Sequence, residues 1–379
     1  MKLKSGYIPS LDGWRTIAIL GVIVAHSLRG FSDTSLSAMA PSIVQLGQSG
    51  VSVFFGLSGF LISMRLLEEH HAVGSISLMG FYVRRGFRIL PPALAYLMVI
   101  GCLGWISMLA VSPREWISSL LFARNYIAIA PSYGFYTGHF WSLAIEEHFY
   151  LFWPVLLATA GLRRARWIVL ALIVAMSVWR NFEFHHHYVA YLFPGVEPSQ
   201  RTDVRIDSLL CGCMIALLMQ LPKISDWFEK SLRLPLFTAL AALYLTLVLG
   251  LFKLHLHALL VSILCPTLIV ATVLHPREFA GRILELPIFR WIGRLSYSLY
   301  LWQQLFIFGK GEGNPPLGWL QKFPLNVIML LLAAMASYYW LEKPMIRLGH
   351  RLAAPASAGR TDIGDENATK ISLGAGLGR

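Results

Sequence analysis

The sequence predicts an all-α, polytopic membrane protein, a bundle of about ten transmembrane helices with both termini in the cytoplasm. Three observations predict it. Of 379 residues, 56% are hydrophobic and only 14% are charged, and the mean hydropathy is +0.59, a composition that belongs to lipid-spanning chains. Ten apolar windows, residues 8–28, 47–66, 89–111, 140–160, 165–182, 206–221, 234–252, 257–274, 288–309 and 324–342, are long enough to cross a bilayer. With both termini placed inside, most of the 32 Lys and Arg fall on the inner side, as the positive-inside rule requires. These windows make one membrane domain, 1–352, and the Gly-, Ala- and Ser-rich stretch 353–379 reads as a flexible cytoplasmic tail.

The first window carries Asp12, Arg15 and His26 in a run otherwise fit for lipid. At roughly 100° per residue, Asp12 and His26 lie about 40° apart around a helix and Arg15 about 60° from Asp12, so the three share a face. A charge at membrane depth costs at least about 2.5 kcal/mol. That face therefore looks into a polar bundle interior. Arg15 and His26 are eleven residues apart, roughly 16 Å along the axis, so the helix lines a polar track. The plainer alternative is a structural Asp12–Arg15 pair and a buried, hydrogen-bonded His26.

The second window holds Gly47, Gly50, Gly56 and Gly59 among serines, small residues that let helix backbones approach closely. Its Gly56-Leu57-Ser58-Gly59 lacks the G-x-S-x-G spacing of a nucleophile elbow. Before the third window comes Arg84-Arg85-Gly86-Phe87-Arg88. Arginine's planar fork suits phosphate, and Arg85 and Arg88 share a face if the stretch is helical. A phosphate site and a plain topology signal both fit.

The fourth window begins Trp141-Ser142-Leu143-Ala144-Ile145-Glu146-Glu147-His148. Ser142, Glu146, Phe149 and Trp153 fall on one face, which puts Glu146 on the polar track, with Glu147 nearer the interface. The spacing is not that of a zinc protease. His185, His186 and His187 diverge along any regular backbone and read as a solvated loop. Arg205 and Asp207 open the sixth window two residues apart. They do not face each other on a helix, so each pairs with another helix or a ligand, or serves as a cap or interface charge. In the ninth window Tyr297, Tyr300 and Gln304 follow helical spacing and suit a hydroxyl-rich path, or an aromatic belt near the helix ends. Glu342 closes the tenth window within reach of an inner arginine.

Other classes fall away. The net charge of +12 is absorbed by topology signals, so no nucleic-acid partner is expected. Cys102, Cys211, Cys213 and Cys265 show neither a disulfide framework nor metal spacing, and no metal site is expected. The N-terminal run follows Lys2 and Lys4 but contains Asp12 and Arg15 and is too long for a signal peptide.

Taken in order, these landmarks resemble the acyltransferase-3 family of bacterial integral membrane O-acyltransferases. The matching points are Leu11-Asp12-Gly13-Trp14-Arg15 with His26, Gly50 to Phe55 running to Ser58-Gly59-Phe60-Leu61-Ile62, Arg85-Gly86-Phe87-Arg88, and Trp141-Ser142-Leu143 through Glu146 and Tyr150. Arg205-Ile206-Asp207, Ser296 to Trp302 and Glu342-Lys343-Pro344 follow. Together they cover about residues 8 to 350. The resemblance implies an enzyme of the bacterial inner membrane that moves an acyl group, foremost acetyl, from cytoplasmic acyl-coenzyme A to a hydroxyl of a surface or exported glycan or glycolipid. Acyl-coenzyme A would be a substrate, with no permanently bound cofactor, and envelope polysaccharide machinery a partner alongside membrane lipid. It ties His26, Arg85 and Arg88 to activity. On this reading His26 is the general base, or carries the acyl group, and Glu146 orients it or binds acceptor. Arg15, Arg85 and Arg88 hold the coenzyme phosphates, while Asp12, Arg205, Asp207, Tyr297, Tyr300 and Gln304 line the substrate path. One departure is visible: where many relatives place a histidine after Tyr-Leu-Trp, this chain has Gln303 and Gln304, which suit binding. The resemblance also leads one to expect that the membrane unit acts without an attached hydrolase-like domain, alone or with a partner. The rival readings are an exporter of a sugar-containing or lipid-linked substrate, since a polar stripe also describes a transport path, and an O-acyltransferase of a small secondary metabolite.

Overall fold

The computed structural model describes residues 6–28, 40–130, 132–186, 188–192, 194–251, 256–308 and 315–353. The described chain is helical, with turns and short irregular connections and no strand among the described residues. In order they are α1 Pro9–Ser27, α2 Ala40–Val73, α3 Leu78–Trp105, α4 Pro113–Leu120, α5 Phe140–His186, α6 Tyr188–Leu192, α7 Thr202–Arg205 and α8 Asp207–Leu218. Then come α9 Pro222–Ser231, α10 Leu234–Val248, α11 His257–Leu274, α12 Phe279–Leu284, α13 Pro287–Phe306, α14 Leu325–Ala336, a π-helical turn Ser337–Glu342 and α15 Lys343–Ala353. The expected tail lies, apart from Ala353, outside the described residues, as do Arg29 and His187.

Local chemistry sets several boundaries. Ser77 caps α3 by accepting from the Gly80 N–H at 3.1 Å, and Ser112 with Glu115 forms a capping box on α4, each satisfying N–H groups that the first turn leaves open. Proline stands in the first turn of α1, α4, α9, α10 and α13, where its missing donor costs nothing. Within α5, Gly161 has φ +71°, a left-handed conformation open to glycine. It breaks the element into 140–160 and 162–186, the fourth and fifth predicted windows. The arginine stretch 84–88, expected ahead of the third helix, is inside α3.

All ten windows overlap helices. By length and apolarity five helices can cross a membrane, Val44–Val73, Leu78–Trp105, Phe140–His186, His257–Leu274 and Leu325–Ala353, and α8 with α9, bent by 107°, would make a sixth. Large apolar side chains such as Phe152, Trp167, Val174 and Val178 are exposed along α5, a surface that a multi-pass protein turns to lipid.

The small-residue seam does what its composition suggested. A Cβ on Gly59 would stand 2.0 Å from the Leu209 carbonyl, and one on Gly50 would stand 2.6 Å from that of Ala18, so α2 lies against α8 on one side and α1 on the other. On the far side of α1, a Cβ on Gly293 of α13 would come 1.9 Å from the Asp12 carbonyl. Overpacking of this kind costs about 1 to 3 kcal/mol. Gly293→Ala is therefore expected to lower the thermal midpoint in detergent by several degrees, measured against Gly86→Ala, whose nearest neighbour would be a leucine methyl at 3.8 Å. Equal midpoints would mean that the helices are not held this close.

At one end of the bundle a charged knot ties α5 to α7 and α8. Arg201, 2% exposed, donates to Glu183 at 2.7 Å and to Asp203, and Asp203 also accepts from Trp179 at 2.7 Å and Tyr126 at 3.1 Å. Arg180 pairs with Asp207. Removing one partner from such buried pairs is costly because a lone charge remains.

Candidate active site

Helix α1 runs through the centre, and three cavities follow it from end to end. The first, with an empty volume of about 930 Å³, is lined by Val22, Ala25, His26, His139, Arg205 and Gln304 among others. The second, about 760 Å³, is lined by Arg15, Ser58, Arg85, Arg88, Glu146 and Tyr297 among others. The third, about 1920 Å³, is a wide mouth bounded by Tyr7, Asp12, Arg15, Arg84, Arg85 and Arg88 and their neighbours. Val51 and Tyr300 line both the first and the second, while Arg15, Leu61, Arg85 and Arg88 line both the second and the third. The cavities therefore form a row, with a histidine chamber at one end, an arginine chamber in the middle and the mouth beyond it.

In the histidine chamber, His26 is partly buried and its Nδ1 lies 3.3 Å from Oε1 of the fully buried Gln303. If the amide oxygen accepts from Nδ1–H, the imidazole takes the tautomer in which Nε2 is the basic nitrogen, the form that a general base requires. Gln303 was read in the sequence only as a departure from the resemblance, yet it is the residue that orients His26. Gln304 lines the chamber one position further. His139, which the sequence did not single out, lines it too, and neither of its ring nitrogens has a hydrogen-bond partner among the described residues.

Tyr300 divides the two chambers. Its hydroxyl donates to the His139 carbonyl at 3.1 Å and meets the Ser142 hydroxyl. Tyr297 lines the arginine chamber and donates to the Ile89 carbonyl at 2.8 Å.

Glu146 sits in the arginine chamber, where Oε1 accepts from Ser58 at 2.8 Å and Oε2 from Tyr150 at 3.1 Å. The expectation was that Glu146 orients His26 or binds acceptor, and the two residues line neighbouring chambers. Both carboxylate oxygens are engaged in the neighbouring chamber, and Gln303 takes the place beside the imidazole. Arg85 lies over the Tyr150 ring at 4.7 Å, which ties the arginine stretch to this cluster by cation–π attraction. Ser58, set aside for lack of an elbow motif, is a polar anchor of Glu146.

At the mouth, Arg15 donates to Asp12 at 2.7 Å and Tyr7 to the same carboxylate at 2.5 Å. Asp12 fixes Arg15 at the mouth, the pair that the sequence suggested. Arg84 is paired with Glu69 at 3.1 Å and Arg65 with Glu68 at 2.9 Å. Arg85 and Arg88 have no carboxylate partner among the described residues. Asp207 is not among the residues lining the row: its Oδ2 accepts from Arg180 and Ser262, and its Oδ1 from the Ser208 N–H. Glu342 accepts from Ser298 at 2.9 Å and is acted on by the charges of Arg88 and Arg15, without a direct ion pair among the described residues.

Comparison with known proteins agrees with this arrangement. Residues 8–343 match the family described as "Acyltransferase domain". The chain is 29% identical over 377 residues to "Putative peptidoglycan O-acetyltransferase YrhL" of Bacillus subtilis, covering 91% of this chain and 56% of that protein. It is 27% identical over 382 residues to "Peptidoglycan O-acetyltransferase OatA" of Listeria monocytogenes, covering 90% and 56%, and 28% identical to "Putative O-acetyltransferase SACOL0978" of Staphylococcus aureus, covering 91% and 58%. The chain thus spans a little over half the length of these relatives. No solved structure matches it. With a family match over nearly the whole chain, this multi-pass membrane protein belongs to the acyltransferase-3 family.

Proposed function

We propose that this chain is an O-acetyltransferase of the bacterial inner membrane, which takes the acetyl group of cytoplasmic acetyl-coenzyme A at the mouth and transfers it to a glycan or glycolipid hydroxyl in the histidine chamber. The observation that supports this most is the pair Arg85 and Arg88. Among the five arginines lining the mouth, these two have no carboxylate partner among the described residues, and both continue into the arginine chamber. Guanidinium groups with no carboxylate in direct contact, at the entrance of a buried passage, suit the phosphates of a coenzyme A. Its pantetheine arm would pass Glu146 and Tyr300, and the thioester would arrive near His26.

The chemistry follows from His26. An acceptor hydroxyl that hydrogen-bonds to Nε2 loses its proton as its oxygen attacks the thioester carbonyl, and coenzyme A thiolate leaves. The imidazolium then returns the proton to that sulfur, and Gln303 holds the ring throughout. The names of the relatives support a cell-wall glycan as acceptor. A row of cavities also suits an exporter of a glycan. Incubating the purified protein with [14C]acetyl-coenzyme A and glycan fragments separates the two. Time-dependent label on the glycan is expected, and its absence with intact, folded protein would leave the exporter. Sidedness is tested in the same strain: a reporter at Ser132 is expected outside and one after Arg379 in the cytoplasm, and a cytoplasmic Ser132 would reverse the direction of transfer.

A further inference from the structure

Three arginines stand close in sequence or space at the entrance to α8, and the fold treats them differently. Arg180 is matched by Asp207, and Arg201 by Glu183 and Asp203. Arg205 has no ion pair among the described residues. Its guanidinium has the Gln48 carbonyl and the Ser52 hydroxyl, both at a long 3.4 Å, and lies 5.9 Å from the centre of the Trp141 ring. It lines the histidine chamber together with His26, and among the described residues no Asp or Glu lines that chamber.

Taking a guanidinium out of water is unfavourable unless a counter-charge meets it. The carboxylate best placed in sequence to serve, Asp207, acts on Arg205 by charge at a distance but gives its hydrogen bonds to Arg180 and Ser262. The cation is thus kept for something that enters the chamber. A sugar hydroxyl would be met as well by the neutral Gln48 and Gln304 that line the same space. A planar, permanently charged fork is the group for a carboxylate or a phosphate.

We propose that the acceptor carries an anionic group beside the hydroxyl that receives the acyl group, and that Arg205 holds this anion in the histidine chamber. The inference rests on the acyltransferase reading for the term acceptor and adds the acceptor's chemical class. The anion has two sources, a carboxylate on the glycan itself or the phosphate of a lipid carrier.

Binding to the purified full chain in nanodiscs tests this without any acyl donor. Two probe pairs are used: a disaccharide bearing a lactyl carboxylate against its methyl ester, and a short-chain prenyl diphosphate disaccharide against the phosphate-free prenyl glycoside. The anionic member of at least one pair is expected to bind about 10- to 100-fold more tightly, and the responding pair identifies the source. Arg205→Gln should bring that ratio close to one, while Arg205→Lys, which keeps the charge and loses the fork, should retain part of it. Thermal midpoints of both variants show that they are folded. Equal binding within both pairs, no binding of any probe, or an Arg205→Gln loss shared equally by charged and neutral members would overturn the proposal. Anion preference without acetyl transfer would remove the acyltransferase reading alone. Acetyl transfer without anion preference would remove this one alone.

Discussion

His26→Gln is expected to lower acetyl transfer by roughly 10² to 10⁴, the usual contribution of a proton-transfer residue, while the thermal midpoint stays near that of the unsubstituted protein. Glutamine keeps hydrogen-bonding capacity toward Gln303 but cannot take a proton from the acceptor hydroxyl. Glutamine can keep the contact that the imidazole makes to Gln303 at 3.3 Å on a partly buried ring, so the fold is expected to tolerate the change. Binding of acyl-coenzyme A should be unchanged, because the arginines that would hold it lie at the other end of α1. The loss should therefore appear in kcat. A histidine that only packs would behave in the opposite way, with expression and midpoint falling together with activity. Near-normal transfer by purified His26→Gln protein would end the catalytic assignment. Gln303→Leu is the companion variant. It leaves the base in place but removes the group that fixes its tautomer, so a smaller fall in kcat is expected with the same folded midpoint.

What the sequence made legible is what lies along single helices. The stripe of Asp12, Arg15 and His26 follows from 3.6 residues per turn, and α1 does carry it from the mouth to the histidine chamber. Arg85 and Arg88 share a helical face and line the same chamber, and Tyr297, Tyr300 and Gln304 all line the row. Pairings across helices were not legible. Asp207 looks like a ligand-facing acid until Arg180, 27 positions earlier, claims it. Glu146 looked like a partner for His26, but Ser58, 88 positions away, is brought against it by the packing of α2 on α5. Gln303 reaches His26 over 277 positions, because Gly293 lets α13 lie directly against α1. No periodicity within one segment carries such information: it resides in which helix faces which. The partner of a polar group in a membrane bundle decides its role, since there is no water to satisfy it otherwise.

The double variant Arg85→Gln/Arg88→Gln is expected to raise the KM for acetyl-coenzyme A by about 10² to 10⁴. Each hydrogen bond from a charged group is worth about 1.5 to 3 kcal/mol, and two of them lost together multiply. Single lysine substitutions should cost more than conserved charge suggests, since lysine lacks the two-point fork. Arg84→Gln is the local comparison. Its guanidinium is already paired with Glu69 at 3.1 Å, with both side chains partly open to solvent, so its loss should stay near the roughly 1 kcal/mol upper range of surface pairs. The donor itself supplies the decisive contrast. Acetyl-pantetheine has the thioester and the arm but none of the nucleotide phosphates, so the unsubstituted protein should use it poorly and the double variant no worse. If the double variant loses acetyl-pantetheine transfer as steeply as transfer from acetyl-coenzyme A, the arginines are supporting the cluster of Tyr150, Glu146 and Ser58 rather than reading phosphate. If donor KM is unchanged in both lysine variants and in the double variant, the positive charge at this mouth is a topology signal alone.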